Sequence, residues 1–304
     1  MFPATLLILD EEDVRRLLSM DRLVPAMERA LADLSAGRVV QPLRTVVPVA
    51  DFQGFLAVMP AYAGRALGAK LVTFFPNNRD VPTHHATIVL FRRETGAPLV
   101  TMDGRRITEM RTAAVSAVAT EALARREASV LAILGSGVQA RSHLEALRLV
   151  RRLSEVRVWS PHRAAEFAAR YGVRAAASAE DAVRGAHVVV VATTSKIPVL
   201  RGEWLSPGTH VNAVGASRPD WRELDDAVLS RARIFVEQRE AASKESGDVI
   251  AAGRIDAEIG EVILGAAAGR ASPDEITLFK SVGVAVEDVV AADLVYRAAV
   301  TEDR

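Results

Sequence analysis

A glycine-rich turn is the part of this sequence with the clearest capacity for chemistry. Residues 135–140 read Gly-Ser-Gly-Val-Gln-Ala, directly after the apolar run 130–134 and before an amphipathic segment. Gly135 permits a tight turn, Gly137 lets a pyrophosphate approach the backbone, and Ala140 lets a following helix lie close to the strand. Because the first amides of that helix would face the phosphates, the pattern predicts a dinucleotide site, although a purely structural turn would carry the same short motif. The predicted cofactor contacts in this turn are Gly135, Gly137, Val138 and Gln139.

The end of the next predicted strand indicates which dinucleotide is bound. Residues 155–159 form this strand, and in such folds the residue at its end recognises the adenosine ribose. The sequence at this end is Ser-Pro-His-Arg, which has no carboxylate for the ribose hydroxyls of NAD. Ser160, His162 and Arg163 could instead surround a 2′-phosphate, so NADP is favoured and NAD stays possible. The alternative is that Arg163 is an ordinary solvated residue of the following helix.

Cationic residues in unusual contexts suggest where an anionic substrate binds. Lys70 lies in the apolar run 69–72 of a chain rich in arginine and poor in lysine, so it either lines a cleft or extends from a sheet edge. We favour the cleft. Arg111 begins an otherwise apolar helical face, where a cation opposes the helix dipole and a bound carboxylate would stabilise it. Arg44, on its residues alone, is predicted to be an ordinary charge at the end of a strand.

Other kinds of catalytic site have little support. His84 and His85 follow a loop and could reach a cleft, but they have no metal-ligand spacing with any pair of carboxylates, so we expect no metal. His143 lies on the predicted helix after the glycine turn and is expected to be structural. The sequence contains no cysteine, no Gly-x-Ser-x-Gly and no His-Glu-x-x-His, which argues against thiolate, hydrolase and metalloprotease chemistry.

Length and charge limit the class of protein and its partners. The 304 residues favour two domains, and half of them are apolar, as is usual for an α/β enzyme. The net charge is zero and no basic stripe is present, which argues against nucleic acid and anionic membranes as partners. Residues 1–9 are apolar but short and lead into acidic residues, so they are predicted to form a first strand and not a signal peptide. We expect a cytoplasmic protein without a membrane span.

The order of predicted elements indicates two domains of different architecture. Helices are expected over 11–18 and 21–35, five short strands in an antiparallel or mixed sheet over 39–102, and an alanine-rich helix over 107–124. From residue 130 strands and helices alternate, which indicates a doubly wound domain. The fold class is therefore α/β, with a Rossmann-type domain at 124–283 inserted beside an α+β substrate-binding and dimerisation domain. This second domain is expected to comprise 1–123 and 284–304, because the last helix, over 285–300, returns to it.

The sequence resembles the ornithine cyclodeaminase/mu-crystallin family, and within that family it is most similar to the mu-crystallin, or ketimine reductase, branch. The resemblance covers nearly the full length, and its most specific stretch reads Asn-Ala-Val-Gly-Ala-Ser-Arg-Pro-Asp-Trp-Arg-Glu-Leu-Asp. The motifs lie at residues 41–49, 58–62, 70–74, 102–104, 111–117, 135–140, 212–225, 244–249 and 279–283. Together they are far more specific than a glycine turn.

The resemblance implies a homodimer with a discontinuous dimerisation and substrate domain beside a Rossmann domain. It implies that Arg44, Lys70 and Arg111 hold the carboxylate of the substrate, which replaces the residue-based interpretation of Arg44. The implied cofactor contacts are Thr112 at the phosphates, Thr193 along the cofactor, and Val214, Ser217, Val282 and Gly283 near the nicotinamide. The strand end at 160–163 differs from the Asn-Arg-Thr of mu-crystallin, so that contact carries over only loosely.

One departure from the family pattern separates its branches. Cyclodeaminases have an aspartate at the position two residues after the one that corresponds to Gly215, and this aspartate acts on the substrate amine. This chain has Ser217 there, and a serine cannot act as a carboxylate base. The difference disfavours cyclisation of ornithine and favours reduction of an imine, with Ser217 facing the substrate.

The predicted function is therefore NAD(P)H-dependent reduction of cyclic ketimine carboxylates, of the pyrroline-2-carboxylate or piperideine-2-carboxylate type, to cyclic amino acids. Lys70 would orient the substrate or relay a proton, and His84 is a weaker candidate for that relay. Two other enzymatic functions stay open, an ornithine or lysine cyclodeaminase and an alanine-type amino-acid dehydrogenase. A protein that binds a thyroid-hormone-like ligand in the presence of NADPH is a third alternative.

Overall fold

The computed structural model describes residues 6–302, so the first part of the strand expected at 1–9 lies outside the described residues. The strands are β1 (Leu7–Leu9), β2 (Val39–Val40), β3 (Thr45–Val49), β4 (Gly54–Ala63), β5 (Ala66–Phe74), β6 (His84–Phe91), β7 (Pro98–Asp103), β8 (Val130–Leu134), β9 (Glu155–Trp159), β10 (Arg174–Ala175), β11 (Val188–Val191), β12 (His210–Ala213), β13 (Ala232–Val236), β14 (Ala257–Glu258) and β15 (Ile276–Lys280). The helices are α1 (Glu11–Leu17), α2 (Met20–Ser35), α3 (Arg105–Leu123), α4 (Val138–Val150), α5 (Ala164–Tyr171), α6 (Ala179–Val183), α7 (Asp226–Arg231), α8 (Arg239–Glu245), α9 (Gly247–Ala252), α10 (Ile259–Ile263) and α11 (Ala285–Glu302).

The described residues form two compact units. One contains the chain up to Arg111 together with the residues from Val284 onward, and the other is Thr112–Gly283. The chain leaves the first unit within α3, whereas the sequence analysis places the boundary after residue 123. The predicted α/β class with a Rossmann-type domain is confirmed.

The first unit is built on a mixed sheet with the order β1-β7-β6-β5-β4-β2, and β3 also pairs with β4. β4 to β7 are antiparallel to one another, and β1 is parallel to β7. Alternate residues of the long strands, among them Ala57, Met59, Ile88 and Met102, are buried on one face. α11 packs on β4, β5 and β6 and also on α2. Because α11 is apolar around most of its circumference, it is largely buried.

The second unit is an eight-stranded parallel sheet with the order β10-β9-β8-β11-β12-β15-β13-β14. The strand order reverses between β8 and β11. β9 and β10 lie on one side of β8, and β11 and the later strands lie on its other side. In doubly wound folds a ligand binds outside the carboxyl ends of the strands at this reversal. β11 is a run of four valines, all buried, as expected for a central parallel strand. The sequence analysis does not predict β15, because its short apolar run lacks a helical or strand-like period.

Candidate active site

A buried lysine marks the candidate substrate site of the first unit. Lys70 is opposite Met59 on β4 and Ile88 on β6, so it lies on the buried face of the sheet, and only 2% of it is exposed. Arg44 directly precedes β3, whose first residue is opposite Val58. Continuing this register places half-buried Arg44 level with Met59, on the same face as Lys70. Three neighbouring strands therefore bring the two cations to one place.

The first turn of α11 supplies the partners of these cations. Asp288 Oδ2 lies 2.6 Å from Lys70 Nζ, and Asp288 Oδ1 accepts a hydrogen bond of 3.1 Å from Arg111 Nε. Arg111 Nη1 also donates to Glu287 Oε2. Both carboxyl groups are fully buried. Arg44 also acts electrostatically on Lys70, so three cations and two carboxylates lie in one cluster where an anionic ligand could be bound.

The environment of Arg111 differs from the sequence-based explanation. α3 begins at Arg105, so Arg111 lies beyond its first turn and not at the positive end of the helix. Its guanidinium is held by carboxylates of the chain itself, Glu287 and Asp288. Arg111 therefore does not need a bound carboxylate to balance its charge, because α11 already provides two carboxylates.

Burial and neighbouring charges set the protonation of this cluster. Burial lowers the pKa of Lys70 to about 8; the Asp288 carboxylate opposes this shift, and the charges of Arg111 and Arg44 add to it. Burial alone would raise the pKa of Asp288, but Arg111 and Lys70 outweigh it, so the pKa lies below its usual value. At neutral pH Asp288 is ionised and Lys70 carries a proton that it can release near pH 8.

His84 lies further along the same face of the sheet. It is opposite Phe74, its ring centroid is 4.6 Å from that of Phe74, and Phe74 is on the same side of β5 as Lys70. Desolvation by the surrounding protein, followed by the charges of Lys70 and His85, lowers the pKa of His84. His84 is itself exposed to solvent, its lowered pKa favours the neutral imidazole, and it is within the electrostatic influence of Lys70.

In the second unit, the glycine turn has the geometry that a pyrophosphate requires. Gly135 has a φ of +119°, and a Cβ there would lie 2.2 Å from the carbonyl oxygen of Ala192. A Cβ on Gly137 would meet nothing within 4 Å, which shows open space above the turn. α4 begins directly after Gly137, with Val138 and Gln139 as its first residues. The open backbone and the helix N-terminus together fit the phosphates of a dinucleotide.

An arginine-rich pocket of about 210 Å³ lies beside this turn. It is lined by Ser136, Arg141, Arg163 and Arg170, among other residues. Ser160 Oγ lies 2.9 Å from Ser136 Oγ and accepts the backbone N–H of Arg163 at 3.2 Å. His162 is exposed and does not line the pocket.

The sequence analysis missed Arg141 and Arg170. Arg141 is four residues after Gly137 and therefore lies one helical turn into α4, a spacing that could have revealed it. Arg170 carries no comparable signal in the sequence, because it lies near the other end of α5.

The remaining predicted cofactor contacts lie mostly at the carboxyl ends of adjacent parallel strands. Thr193 follows β11, Val214 follows β12, and Val282 and Gly283 follow β15. Because β11, β12 and β15 are neighbours in the sheet, the fold brings these residues to one edge. Ser217 is exposed in the loop after β12. Thr112 lies on α3 and is buried.

Glu237 is a further residue at this edge that sequence reasoning missed. It directly follows β13 and is fully buried. Its Oε1 accepts from Ser281 Oγ at 2.6 Å and from Gly283 N at 3.1 Å, and its Oε2 accepts from Val282 N at 3.1 Å. The carboxylate therefore fixes the loop after β15. An acidic residue at the end of an apolar strand is the only local signal for this role.

The described residues show neither a group of side chains suited to a metal ion nor a helix suited to a membrane. Within residues 6–302, no three His, Asp or Glu side chains are grouped so that they could bind a metal ion. Over the same part of the chain, no helix has the length and apolar character needed to cross a membrane.

Comparisons with known proteins give consistent matches over the full length. The profile of the ornithine cyclodeaminase/mu-crystallin family matches residues 5–303. The ketimine reductase mu-crystallin of Mus musculus is 50% identical over 298 residues, which cover 94% of this chain and 95% of the mouse protein.

Two solved structures are also similar to the whole chain. One is the Δ1-pyrroline-2-carboxylate reductase of Thermococcus litoralis in complex with NADH and L-proline, with a TM-score of 0.93, 38% identity and 98% coverage of both chains. The other is an archaeal alanine dehydrogenase dimer with bound NAD, with a TM-score of 0.94, 36% identity and coverage of 98% of this chain and 97% of that one.

Proposed function

Because this chain belongs to the ornithine cyclodeaminase/mu-crystallin family, we propose that it is an NAD(P)H-dependent reductase of cyclic ketimine carboxylates. The expected substrates are five- and six-membered rings such as pyrroline-2-carboxylate and piperideine-2-carboxylate, and the products are cyclic amino acids. The mouse relative is named a ketimine reductase, and the Thermococcus litoralis neighbour is a Δ1-pyrroline-2-carboxylate reductase.

The cluster of half-buried Arg44 with buried Lys70 and Arg111 is the observation that carries this proposal. Guanidinium and ammonium groups that converge on one place suit a carboxylate, which a ketimine carboxylate supplies. Asp288 holds Lys70 and Arg111 in place before any ligand arrives, so the substrate does not have to order them. A carboxylate bound to such cations would fix the orientation of the adjoining C=N carbon.

The chain's own residues must also supply a proton to the imine nitrogen. A bound nicotinamide supplies hydride to the imine carbon, and this step is easier when the imine nitrogen is protonated. Lys70, whose pKa is about 8, is protonated at neutral pH and can hold or deliver a proton to that nitrogen. His84 is the alternative donor, although its lowered pKa favours the neutral imidazole. Asp288 stabilises the charged form of Lys70 throughout.

Initial rates with defined imines test the proposal. Purified protein is supplied with pyrroline-2-carboxylate or piperideine-2-carboxylate, each with NADPH and with NADH, and the loss of cofactor absorbance is followed. We expect turnover of at least one ring and formation of L-proline or L-pipecolate. No turnover with either ring and either cofactor would refute the proposed function.

NADP is proposed as the preferred cofactor. Arg141, Arg163 and Arg170 surround a pocket next to the glycine turn, and Glu166 is the only acid among its lining residues. A 2′-phosphate would be stabilised there by charge-assisted hydrogen bonds. We expect NADPH to bind about tenfold or more tightly than NADH in a fluorescence titration, and Arg163→Ala to reduce this ratio. Equal affinities for the two cofactors would contradict the preference.

Alanine dehydrogenase is the second candidate function, favoured by the similarity to the archaeal enzyme. The same cationic cluster could hold the carboxylate of alanine. Incubation with L-alanine and NAD or NADP separates the two functions. Formation of reduced cofactor at a rate above that of ketimine reduction would favour the dehydrogenase.

We also propose that the protein is a homodimer formed by the first unit, which would bind the substrate while the second unit binds the cofactor. The face of the mixed sheet opposite α11 exposes apolar side chains, of which Val40 is 67% and Val47 50% exposed. Light scattering after size-exclusion chromatography should give twice the mass of the chain, and Val47→Asp should reduce it. A monomer at micromolar concentration would contradict the assembly.

A further inference from the structure

A second buried cluster of charges lies in the second unit, outside the glycine turn. Glu223, Asp248 and Lys280 are all fully buried. Lys280 Nζ lies 3.3 Å from Asp248 Oδ2 and also donates to the carbonyl oxygen of Gly215. Asp248 Oδ1 accepts the backbone N–H of Glu223 at 3.1 Å. Lys280 and Asp248 therefore fix both the turn after β12 and the backbone of Glu223.

The carboxyl group of Glu223 contacts two loops at the carboxyl edge of the sheet. Its Oε1 accepts from the backbone N–H of Thr193 at 2.9 Å and from Thr193 Oγ1 at 2.5 Å. A Cβ on Gly215 would lie 2.4 Å from Glu223 Oε2, so only glycine leaves space for this carboxyl group. Glu223 thus accepts hydrogen bonds from the loop after β11 and packs against the turn after β12.

The sheet order indicates which part of a dinucleotide lies near these loops. The glycine turn after β8 fits the pyrophosphate, and the end of β9, on one side of β8, is the adenosine side. β11 and β12 lie on the other side of β8. The loops that Glu223 contacts are therefore on the nicotinamide side of the pyrophosphate site.

Two fully buried carboxyl groups, Glu223 and Asp248, lie beside one fully buried cation, Lys280. The groups that face Glu223 are Asp248 from α9 and Lys280 from β15, and the half-buried side chain of Arg222 has its Nε 4.0 Å from Asp248 Oδ1. Burial raises the pKa of Glu223 to about 7; Lys280 and the hydrogen bonds from Thr193 limit the increase, and Asp248 adds to it. The Oε2 atom has no hydrogen-bond partner among the described residues. Glu223 therefore changes its charge near neutral pH.

We propose that Glu223 is a positioning residue for the nicotinamide half of the cofactor, acting through Thr193 and the Gly215 turn. The proposal rests on the proposed function, since it requires that the chain binds NADPH or NADH. An ionised carboxylate accepts hydrogen bonds more strongly than a neutral acid does. Ionisation of Glu223 should therefore hold Thr193 more firmly and tighten cofactor binding as the pH rises through 7.

The test compares Glu223→Ala and Glu223→Gln with the wild-type chain. In Glu223→Ala, the Thr193 amide should exchange its hydrogen at least about tenfold faster in the unliganded protein, and the Kd for NADPH should rise about tenfold. The KM for the ketimine at saturating NADPH should stay within about twofold, because Arg44, Lys70 and Arg111, which would bind the substrate carboxylate, are unchanged. Glu240→Gln, an exposed glutamate on α8, is the matched control and should change none of these values.

Glu223→Gln separates positioning from charge. Its amide oxygen can still accept from Thr193, so the Kd for NADPH at pH 6 should stay within about threefold of wild type. The ratio of the wild-type Kd to the Glu223→Gln Kd, both measured at the same pH, should fall between about pH 6 and pH 8. Titration of the cofactor phosphates affects both proteins equally and therefore cancels in this ratio.

The two proposals fail in different ways. Wild-type protein that binds neither NADPH nor NADH would overturn the proposed function. Wild-type protein that binds NADPH, together with unchanged Thr193 exchange and unchanged Kd in Glu223→Ala, would overturn the role of Glu223. If Glu223→Ala does not fold, a constant ratio of wild-type to Glu223→Gln Kd between pH 6 and pH 8 would overturn it instead.

Discussion

Asp288 lies between Lys70 and Arg111, with Oδ2 2.6 Å from Lys70 Nζ and Oδ1 3.1 Å from Arg111 Nε. All three side chains are almost completely buried. Such a carboxylate offsets the repulsion between two neighbouring cations, and it also holds both side chains in a fixed orientation. The cationic site is therefore assembled by the fold before a substrate arrives.

Lys70→Met should impair binding of the ketimine and leave cofactor binding intact. Methionine keeps the length of the side chain but removes the ammonium that would contact the carboxylate. We expect the KM for the ketimine to rise at least about tenfold, since a hydrogen bond to a charged group contributes about 1.5–3 kcal/mol. The Kd for NADPH, measured by fluorescence, should not change. Lys244→Met, at an exposed lysine of α8, is the control, and a KM within twofold of wild type in Lys70→Met would contradict the assignment.

Asp288→Asn should destabilise the protein far more than Asp293→Asn on the same helix. The first substitution leaves buried Lys70 and Arg111 without their shared counter-charge, which costs about 3–5 kcal/mol. Asp293 pairs with Arg65 and Arg297, both substantially exposed, so its loss should cost at most about 1 kcal/mol. Urea unfolding of the three proteins measures both values. Similar stabilities of the two variants would show that the buried cluster is not strongly coupled.

Binding of the ketimine should weaken above pH 8. Lys70, with a pKa of about 8, becomes neutral there and no longer attracts a carboxylate. We expect the KM to rise by up to about tenfold per pH unit above this value. Lys70→Arg keeps its charge and should show a flatter profile, whatever its absolute activity. A wild-type KM that stays constant up to pH 9.5 would exclude titration of Lys70 in the substrate site.

The same titration affects stability with the opposite sign. The pKa of Lys70 is about 8 in the folded chain and 10.5 without burial, so the unfolded chain binds more protons between these values. The contribution of Lys70 to the free energy of unfolding therefore increases with pH over this interval. Lys70→Met should remove this increase, which urea unfolding at several pH values would detect as a lower slope.

The two turn glycines should respond differently to substitution by alanine. At Gly135, a Cβ would lie 2.2 Å from Ala192 O at a φ of +119°, so Gly135→Ala should lower the Tm by several degrees or prevent folding. At Gly137 a Cβ has open space and φ is −87°, so Gly137→Ala should fold normally. It should nevertheless raise the Kd for NADPH about tenfold or more, because the methyl group occupies the approach of the phosphates. Unchanged NADPH affinity in folded Gly137→Ala would contradict the placement of the pyrophosphate.

Two buried histidines should make the protein sensitive to acid. Burial lowers the pKa of His143 to about 4 and that of His210 to about 3, whereas unfolded histidine titrates near 6.5. The unfolded chain therefore binds more protons below pH 6.5, and each histidine should reduce the free energy of unfolding by about 1.4 kcal/mol per pH unit between pH 6 and pH 4. NMR titration of the two imidazoles gives their pKa values directly, and values near 6.5 would contradict this account.

The sequence predicts elements whose signal is local. The glycine turn, the strand before it and the helix after it can be identified together, because Gly135, Gly137 and Ala140 follow an apolar run directly and precede an amphipathic segment. Lys70 stands out because a lysine in an apolar strand is unusual. Arg44 has no such context, and only the family resemblance singles it out.

The interaction partners of these residues could not be predicted from the local sequence. Arg111 and Asp288 are 177 residues apart, and nothing in the sequence of either segment requires the other. The same holds for Glu223, which reaches Thr193 and Gly215 through the packing of parallel strands. A buried charge is tolerated only where the fold supplies its counter-charge, and that pairing depends on sheet register and helix packing.

The sequence by itself therefore determined the fold class, the dinucleotide turn and the family, since each depends on short patterns that are read along the chain. Only the tertiary structure decided that Asp288 and Glu287 pair with Lys70 and Arg111, that Arg141 and Arg170 lie beside Arg163, and that Glu223 contacts two loops. The physical reason is that electrostatic and steric contacts depend on distance in space, and residues far apart in the chain become neighbours only when strands and helices pack.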